Sequence, residues 1–391
     1  MTPSPPLPIV LHDPSAGSVD VLVVAGEHSG DEHAAVLIQN LLREHPELKI
    51  AAVGGKHLQA SGAQLLYDLT DLCVVGFYEV LRHYHYFKRL FYLVADWVEE
   101  HRRRVVLFVD YPGFNLRLAR ELFNRGVGER AGGETALLYY ISPQVWAWKA
   151  KRRFEMARLL DGLAVIFPFE VDTFADTPMK VTFVGHPFLQ SDQTCELIYH
   201  PEEKILLLGG SRLETVRRVL PIQLKTFRML LADHPAREAR LVYPSRAIRS
   251  EIQEIITSFP DLEGKLELVK NEGTIGGCAV MTTSGTMSLR CALAGIPGCV
   301  VHKIHPFSYI LGKMLVQVPY IGIANLLLNR LLYPEFPQYA AKPKVLVEVL
   351  RQCLNDPSVI QKTQRERIEL TRVLSDTNDH TPWTWLKGYL N

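Results

Sequence analysis

Residues Val105 to Asn115 read VVLFVDYPGFN, five apolar residues that deliver a carboxylate, Asp110, to a Pro-Gly turn. A buried strand ending on a charge either caps the next helix or places a proton acceptor where ligands bind. A second acidic loop, VVAGEHSGDEHAA, sets Glu27, Ser29 and Asp31 around Gly26 and Gly30. It lacks GxGxxG, which weighs against a dinucleotide fingerprint, and its Ser or Asp would also serve as a helix cap. In the second half, VMTTSGTMSLR (Val280 to Arg290) sets Ser284, Gly285 and Thr286 at a helix entrance. Free backbone N–H groups and small hydroxyls in such a turn bind a diphosphate without metal. LLLGGSRLE (Leu206 to Glu214) adds Arg212. Nothing in the spacing of His or acidic residues calls for a metal, and no cofactor is expected.

Two further stretches are unusual. YYISPQVWAWKAKRRFEMAR (Tyr139 to Arg158) crowds aromatics into a loop, and its Lys149, Lys151, Arg152, Arg153 and Arg158 oppose only Glu155. A basic helix is usually a solvated face; beside a cleft it would hold a phosphate. Upstream, Val80, Leu81, Tyr84, Phe87, Leu90, Phe91 and Val94 recur at helical spacing with cations interleaved. Such stripes are mostly core, but the density of aromatics and cations from Tyr78 to Arg104 suggests lipid contact.

The elements that must position these residues follow from hydrophobic periodicity. Val21–Ala25, Ile50–Val53, Val105–Val109, Ala136–Ile141, Leu163–Phe167 and Val181–Val184 are strand candidates separated by amphipathic helical runs. After a polar link to about His200, the pattern restarts with Ile205–Leu208, Arg240–Tyr243, Leu266–Val269, Ala279–Thr282 and Gly298–His302. The alternation predicts two α/β units with parallel sheets, Rossmann-like and facing each other across a cleft. Ligands then bind outside the carboxyl ends of the strands, where Glu27, Asp110 and Ser284 fall.

Composition narrows the class. The 391 residues are 47% hydrophobic and 22% charged, with 43 Lys+Arg against 42 Asp+Glu, a balance with no global field for nucleic acid. Six cysteines without a CxxC pair (Cys73, Cys195, Cys278, Cys291, Cys299 and Cys353) read as reduced core residues. The proline-interrupted start, residues 1–18, reads as a disordered leader. No run of ~20 apolar residues is present to span a membrane.

Taken in order, AGEHSGD, VVGFYEVL, VDYPGFN, YYISPQVWAWK, PFE (Pro168 to Glu170), FVGHP and TSGT resemble the lipid-A-disaccharide synthase family. The resemblance implies a GT-B fold and an inverting glycosyltransferase. Its implied substrates are UDP-2,3-diacylglucosamine as donor and 2,3-diacylglucosamine 1-phosphate as acceptor. It places an acceptor and membrane-facing domain at 19–187, a link at 188–202, a donor domain at 203–365 and a returning C-terminal helical segment at 366–391. It implies a cytoplasmic protein, peripheral on the inner face of the inner membrane, with a homodimer left open. Asp110 and Glu27 become the catalytic candidates, with Ser29, Asp31, Asn115, Trp146, Lys149 and Arg152 on the acceptor side. Arg212, Ser284, Gly285, Thr286, Arg290, Asn325 and Gln338 fall on the donor side.

The second half departs from the family pattern. The usual Pro-Gly-Ser-Arg is Gly209-Gly210-Ser211-Arg212, Glu214 stands one residue too close, and Asn325 follows Ala324 rather than proline. The glutamate expected six residues after Ser284 is Arg290. The competing readings are another GT-B enzyme, such as a UDP-N-acetylglucosamine 2-epimerase, and a non-catalytic lipid or sugar-nucleotide binder.

Overall fold

The computed structural model describes residues 11–14, 17–70, 84–101, 104–189, 195–305 and 318–390. The chain divides into two compact units, Met1–Gln190 with Asp376–Asn391, and Ser191–Ser375.

The first unit runs β1 (Val21–Ala25), α1 (His28–Glu44), β2 (Ile50–Gly54), α2 (Lys56–Ala60), β3 (Gln64–Asp68), α3 (Tyr84–His101), β4 (Val105–Val109), α4 (Pro112–Asn124), β5 (Ala136–Tyr140), α5 (Arg152–Leu159), β6 (Gly162–Val165), α6 (Phe169–Thr173) and β7 (Val181–Phe183). Its parallel sheet has the order β3-β2-β1-β4-β5-β6-β7. The pairs Val21↔Val105 through Ala25↔Val109 put β1 and β4 side by side. Both strands are buried on both faces, which is why they read as unbroken apolar runs rather than alternating ones. The helix α1 turns Ala34, Leu37, Ile38 and Leu41 onto the sheet, spaced three and four apart.

In the second unit come β8 (Cys195–Tyr199), β9 (Ile205–Leu207), α7 (Leu213–Leu230), β10 (Ala239–Tyr243), α8 (Arg246–Ile256), β11 (Leu266–Lys270), β12 (Gly273–Gly277), β13 (Val280–Thr282), α9 (Thr286–Leu293), β14 (Gly298–His302), α10 (Ile323–Leu328), β15 (Glu335–Pro337), α11 (Pro343–Asn355) and α12 (Pro357–Ser375). The main sheet is ordered β11-β10-β9-β13-β14-β15, and β12 pairs with β8 in a two-stranded one. The segment expected as a polar link therefore contains a strand, β8, paired in register with β12.

The last helix, α13 (Pro382–Lys387), belongs to the first unit. Trp385, Leu386 and Leu390 enter the core beneath α1, and Trp383 Nε1 donates to Glu44 at 2.9 Å. A side chain at Gly162 would collide with the Tyr389 hydroxyl, so this contact requires glycine.

Part of the apolar stripe of α3 is core. Leu90, Val94, Ala95, Trp97 and Val98 are buried, Phe87 and Phe91 pack against them, and Phe91 meets Phe114 edge to face. Phe87 and Phe91 are half-buried, and α4 supplies an apolar partner for Phe91 that sequence spacing could not show. Of the described residues in the stripe, Tyr92 is the large exposed aromatic. The stretch VVGFYEVL and Cys73 lie outside the described residues. Cys195, Cys278, Cys291, Cys299 and Cys353 are reduced and buried.

Candidate functional site

In the first unit the strand order reverses between β1 and β4, and the loops after them carry the acidic residues. Asp110 and Tyr111 both adopt left-handed backbone, φ 46° and 47°, a conformation that costs non-glycine residues energy and clusters at functional sites. Two contacts hold it there. Tyr139, buried in β5, donates its hydroxyl to the Asp110 carbonyl at 2.5 Å, and Asn115 Nδ2 donates to the same oxygen at 2.8 Å. Gly26 is required beside it, since a Cβ there would stand 2.0 Å from the Tyr111 ring.

Burial and the nearby Glu27 carboxylate push the Asp110 carboxyl up to about 6, against a backbone hydrogen bond from Tyr111. Burial also raises the Tyr139 hydroxyl, with Asp110 and Glu27 adding to the shift and Arg152 opposing it. Glu27, Asp110 and Arg152 are thus gathered around Tyr139. Glu27 and Ser29 are exposed at the start of α1, where its first free N–H groups lie.

Asp31 does not join them. It is 1% exposed, and its oxygens accept from the backbone N–H groups of Gly55 (2.7 Å), His57 (3.0 Å) and Leu58 (3.3 Å). It ties the entrance of α2 to α1, with both carboxylate oxygens engaged by backbone donors. Asn115 is likewise fully buried, with its NH₂ group spent on backbone carbonyls.

The aromatic loop after β5 is held by Glu170, whose role its sequence context does not reveal. Its carboxyl accepts from Trp146 Nε1 (3.2 Å), Phe167 N (3.1 Å) and Ile166 N (3.3 Å). Burial raises it to about 8 despite these donors. Trp146 is therefore anchored inward, while Trp148 is exposed with Lys149 Nζ 4.4 Å and the Arg152 guanidinium 5.9 Å from its ring. Part of the basic excess is paired: Arg153 with Asp176, and Glu155 with Arg120 from α4.

The second unit reverses strand order between β9 and β13. Gly210 takes φ 113° in the loop after β9, and Arg212 stands exposed at the entrance of α7. Gly285 and Thr286 open α9 and are exposed. Ser284 Oγ lies 2.8 Å from His302 Nδ1, at the end of β14. Burial lowers the His302 pKa, opposed by Glu335. Gln338, with φ 49°, follows β15 and donates Nε2 to the Ile304 carbonyl at 3.0 Å. The carboxyl ends of β13, β14 and β15 therefore present Ser284, His302 and Gln338 on one sheet edge. His302 was not among the expected residues, because a histidine closing an apolar strand reads as core.

Glu214 pairs with Arg218 at 2.9 Å on the surface of α7. Asn325 is 1% exposed and its amide is fully used. It donates to the Tyr333 carbonyl and Glu335, both at 2.7 Å, and accepts from Leu332 N and Tyr333 N. It closes the turn from α10 to β15. The Arg290 charge acts on the buried thiols of Cys195 and Cys291, opposing the upward push of burial. Among the described residues no group of three or more His, Cys, Asp or Glu could hold a metal ion.

Comparison with known proteins gives the family and the fold. A family model for lipid-A-disaccharide synthetase matches residues 21–380. The chain is 33% identical over 369 residues to lipid-A-disaccharide synthase 1 of Legionella pneumophila, covering 91% of this chain and 94% of that protein. Two solved structures share the fold. The glycotransferase of kitacinnamycin superposes with a TM-score of 0.60 at 14% identity, covering 95% of this chain and 100% of that one. The UDP-GlcNAc 2-epimerase from Neisseria meningitidis, bound to UDP-GlcNAc, superposes with a TM-score of 0.55 at 12% identity, covering 94% and 100%. The fold is GT-B, with one Rossmann-like sheet in each unit.

Proposed function

The chain belongs to the lipid-A-disaccharide synthetase family, and from that premise we propose how its residues carry the reaction. The enzyme is an inverting glycosyltransferase that moves 2,3-diacylglucosamine from UDP to the 6-hydroxyl of 2,3-diacylglucosamine 1-phosphate. Asp110 is the general base. It takes the hydroxyl proton as the oxygen attacks the anomeric carbon from the face opposite the diphosphate, and the bond to UDP breaks with its electron pair leaving on phosphate. One displacement inverts the centre and gives the β-1,6 linkage.

The observation that carries this reading is the Asp110 carboxyl: delivered by β4 to the switch point, held in strained backbone and raised to about 6. A base with that value is mostly ionised at neutral pH and still a better proton acceptor than a free carboxylate. The neighbouring Glu27 contributes to that rise. Arg152 and Lys149 are assigned to the acceptor's 1-phosphate. In the second unit, Ser284, Gly285 and Thr286 at the α9 entrance, with Arg212, Gln338 and Arg290, are assigned to the UDP side. Free N–H groups at a helix start stabilise the charge that grows on a leaving diphosphate.

The acylated substrates are amphiphilic, and no helix among the described residues is long and apolar enough to cross a membrane. Exposed Trp148 and Phe154, flanked by Lys149, Lys151 and Arg153, support contact with the inner face of the inner membrane. The epimerase reading rests on fold likeness alone, at 12% identity. Incubating the purified protein with both acylated substrates should release UDP and form the disaccharide 1-phosphate in equal amounts. Turnover of UDP-GlcNAc alone, without disaccharide formation, would overturn the assignment.

A further inference from the structure

Both switch points carry the same device, built from different residues on different helices. In the first unit, Asn115 on α4 places Nδ2 3.2 Å from the Val24 carbonyl of β1, 3.2 Å from the Val109 carbonyl of β4 and 2.8 Å from that of Asp110. In the second unit, Gln223 on α7 places Nε2 3.3 Å from the Leu208 carbonyl and 2.9 Å from the Met281 carbonyl, at the ends of β9 and β13. Both residues are fully buried. Both amide oxygens, Asn115 Oδ1 and Gln223 Oε1, lack a hydrogen-bond partner among the described residues.

At a switch point the crossovers leave in opposite directions, and carbonyls near the ends of the two neighbouring strands come within reach of one side chain. A carboxamide NH₂ is an uncharged group with two protons on one atom, so it can bind carbonyls of two strands and set the gap between them. A hydroxyl has one proton, and an apolar side chain would remove the cross-strand donor altogether, leaving the Met281 carbonyl only its bond from Leu208 N–H at 2.9 Å. The buried oxygen without a partner is a cost, and both units accept it at the place where the substrate loops begin.

We propose that Asn115 and Gln223 are paired positioning residues for the transfer. Asn115 fixes the turn that aims the Asp110 carboxylate, and Gln223 fixes the spacing between the Gly209–Arg212 loop and the Thr283–Thr286 loop that receives the diphosphate. The inference rests on the reading of Asp110 as base and of these loops as the donor site. It replaces direct substrate contact by Asn115, and it gives Gln223 a role that its sequence context, an amphipathic helix, conceals.

Asn115→Leu and Gln223→Met keep the approximate shape and remove the donors. Steady-state kinetics over pH, normalised to folded protein by circular dichroism, should separate the two. Asn115→Leu should lower kcat roughly tenfold or more and move the acid limb of the parent profile, expected near the Asp110 value of about 6, with donor KM little changed. Gln223→Met should raise donor KM by roughly tenfold and leave the acid limb in place. Should either fail to fold, Asn115→Gln and Gln223→Asn, which keep both protons but move them by one methylene, are expected to split the parameters in the same way. Parent-like kinetics, the same parameter changed by both, or losses that merely track folded fraction would overturn the proposal. A parent profile with no acid limb near pH 6 would instead contradict Asp110 as base, while the donor-KM arm would still decide Gln223.

Discussion

Ser284 Oγ and His302 Nδ1 stand 2.8 Å apart, joining the entrance of α9 to the end of β14. Burial lowers the His302 pKa, which favours the neutral ring near pH 7. A neutral ring can orient the serine hydroxyl without adding a second charge to the phosphate site.

His302→Phe keeps a flat ring and removes the nitrogen. One neutral hydrogen bond contributes on the order of 1 kcal/mol, or about fivefold, so the apparent KM for UDP-2,3-diacylglucosamine should rise by about that factor. The acceptor KM should not move. Parallel shifts in both constants, measured by UDP release, would show that His302 acts on the fold and not on the donor.

Asp31 yields the opposite expectation. Its oxygens bind three backbone N–H groups at the entrance of α2, so Asp31→Ala orphans buried donors. Urea unfolding should show a loss of roughly 2–4 kcal/mol with unchanged slope, while the KM values of the remaining folded enzyme stay near parental. A tenfold rise in acceptor KM with full stability would restore Asp31 to the substrate site.

Glu170 gives a pH signature. Its folded value, about 8, lies above the ordinary 4.5, so the folded state holds the proton more tightly than the unfolded one. Stability contributed by the protonated carboxyl is fully present below about 4.5 and is lost as pH rises through about 8. The stability of parent relative to Glu170→Gln should therefore fall by on the order of 2–4 kcal/mol between pH 5 and 8.5, read from urea midpoints. A difference independent of pH would mean that Trp146 and the backbone donors keep this carboxylate ionised throughout.

Much of this architecture was legible because central parallel strands are apolar throughout: β1, β4 and β14 have the limits expected from their runs. The strands that escaped lie elsewhere. β3 and β15 are edge strands that are only half-buried, β12 is GTIGG, and β8 alternates beneath a polar reputation. The site divides by a different rule. Asp110 stands out as a candidate because a charge at the end of a five-residue apolar strand has few structural uses. Asp31, Asn115 and Asn325 are short polar side chains in loops or first turns, and sequence cannot say whether a ligand or a backbone amide will occupy them. Tyr139, Glu170, Gln223 and His302 were hidden because each sits in an apolar or amphipathic pattern and acts through a backbone or side-chain contact that only the fold creates.

The most direct test of the central claim is turnover and stability of one variant, Asp110→Asn, followed side by side. The amide still accepts a hydrogen bond from Tyr111 N–H but cannot take the acceptor's proton. UDP release should fall by roughly 10²-fold or more, with both substrates still bound. Because the parent carboxyl is raised from 3.8 to about 6, ionising it opposes folding as pH rises through that interval. The variant should then be more stable than the parent by about 1–3 kcal/mol at pH 8, with that advantage fading below about pH 4. Near-normal turnover by a well-folded Asp110→Asn protein would contradict the account and pass the role of base to Glu27.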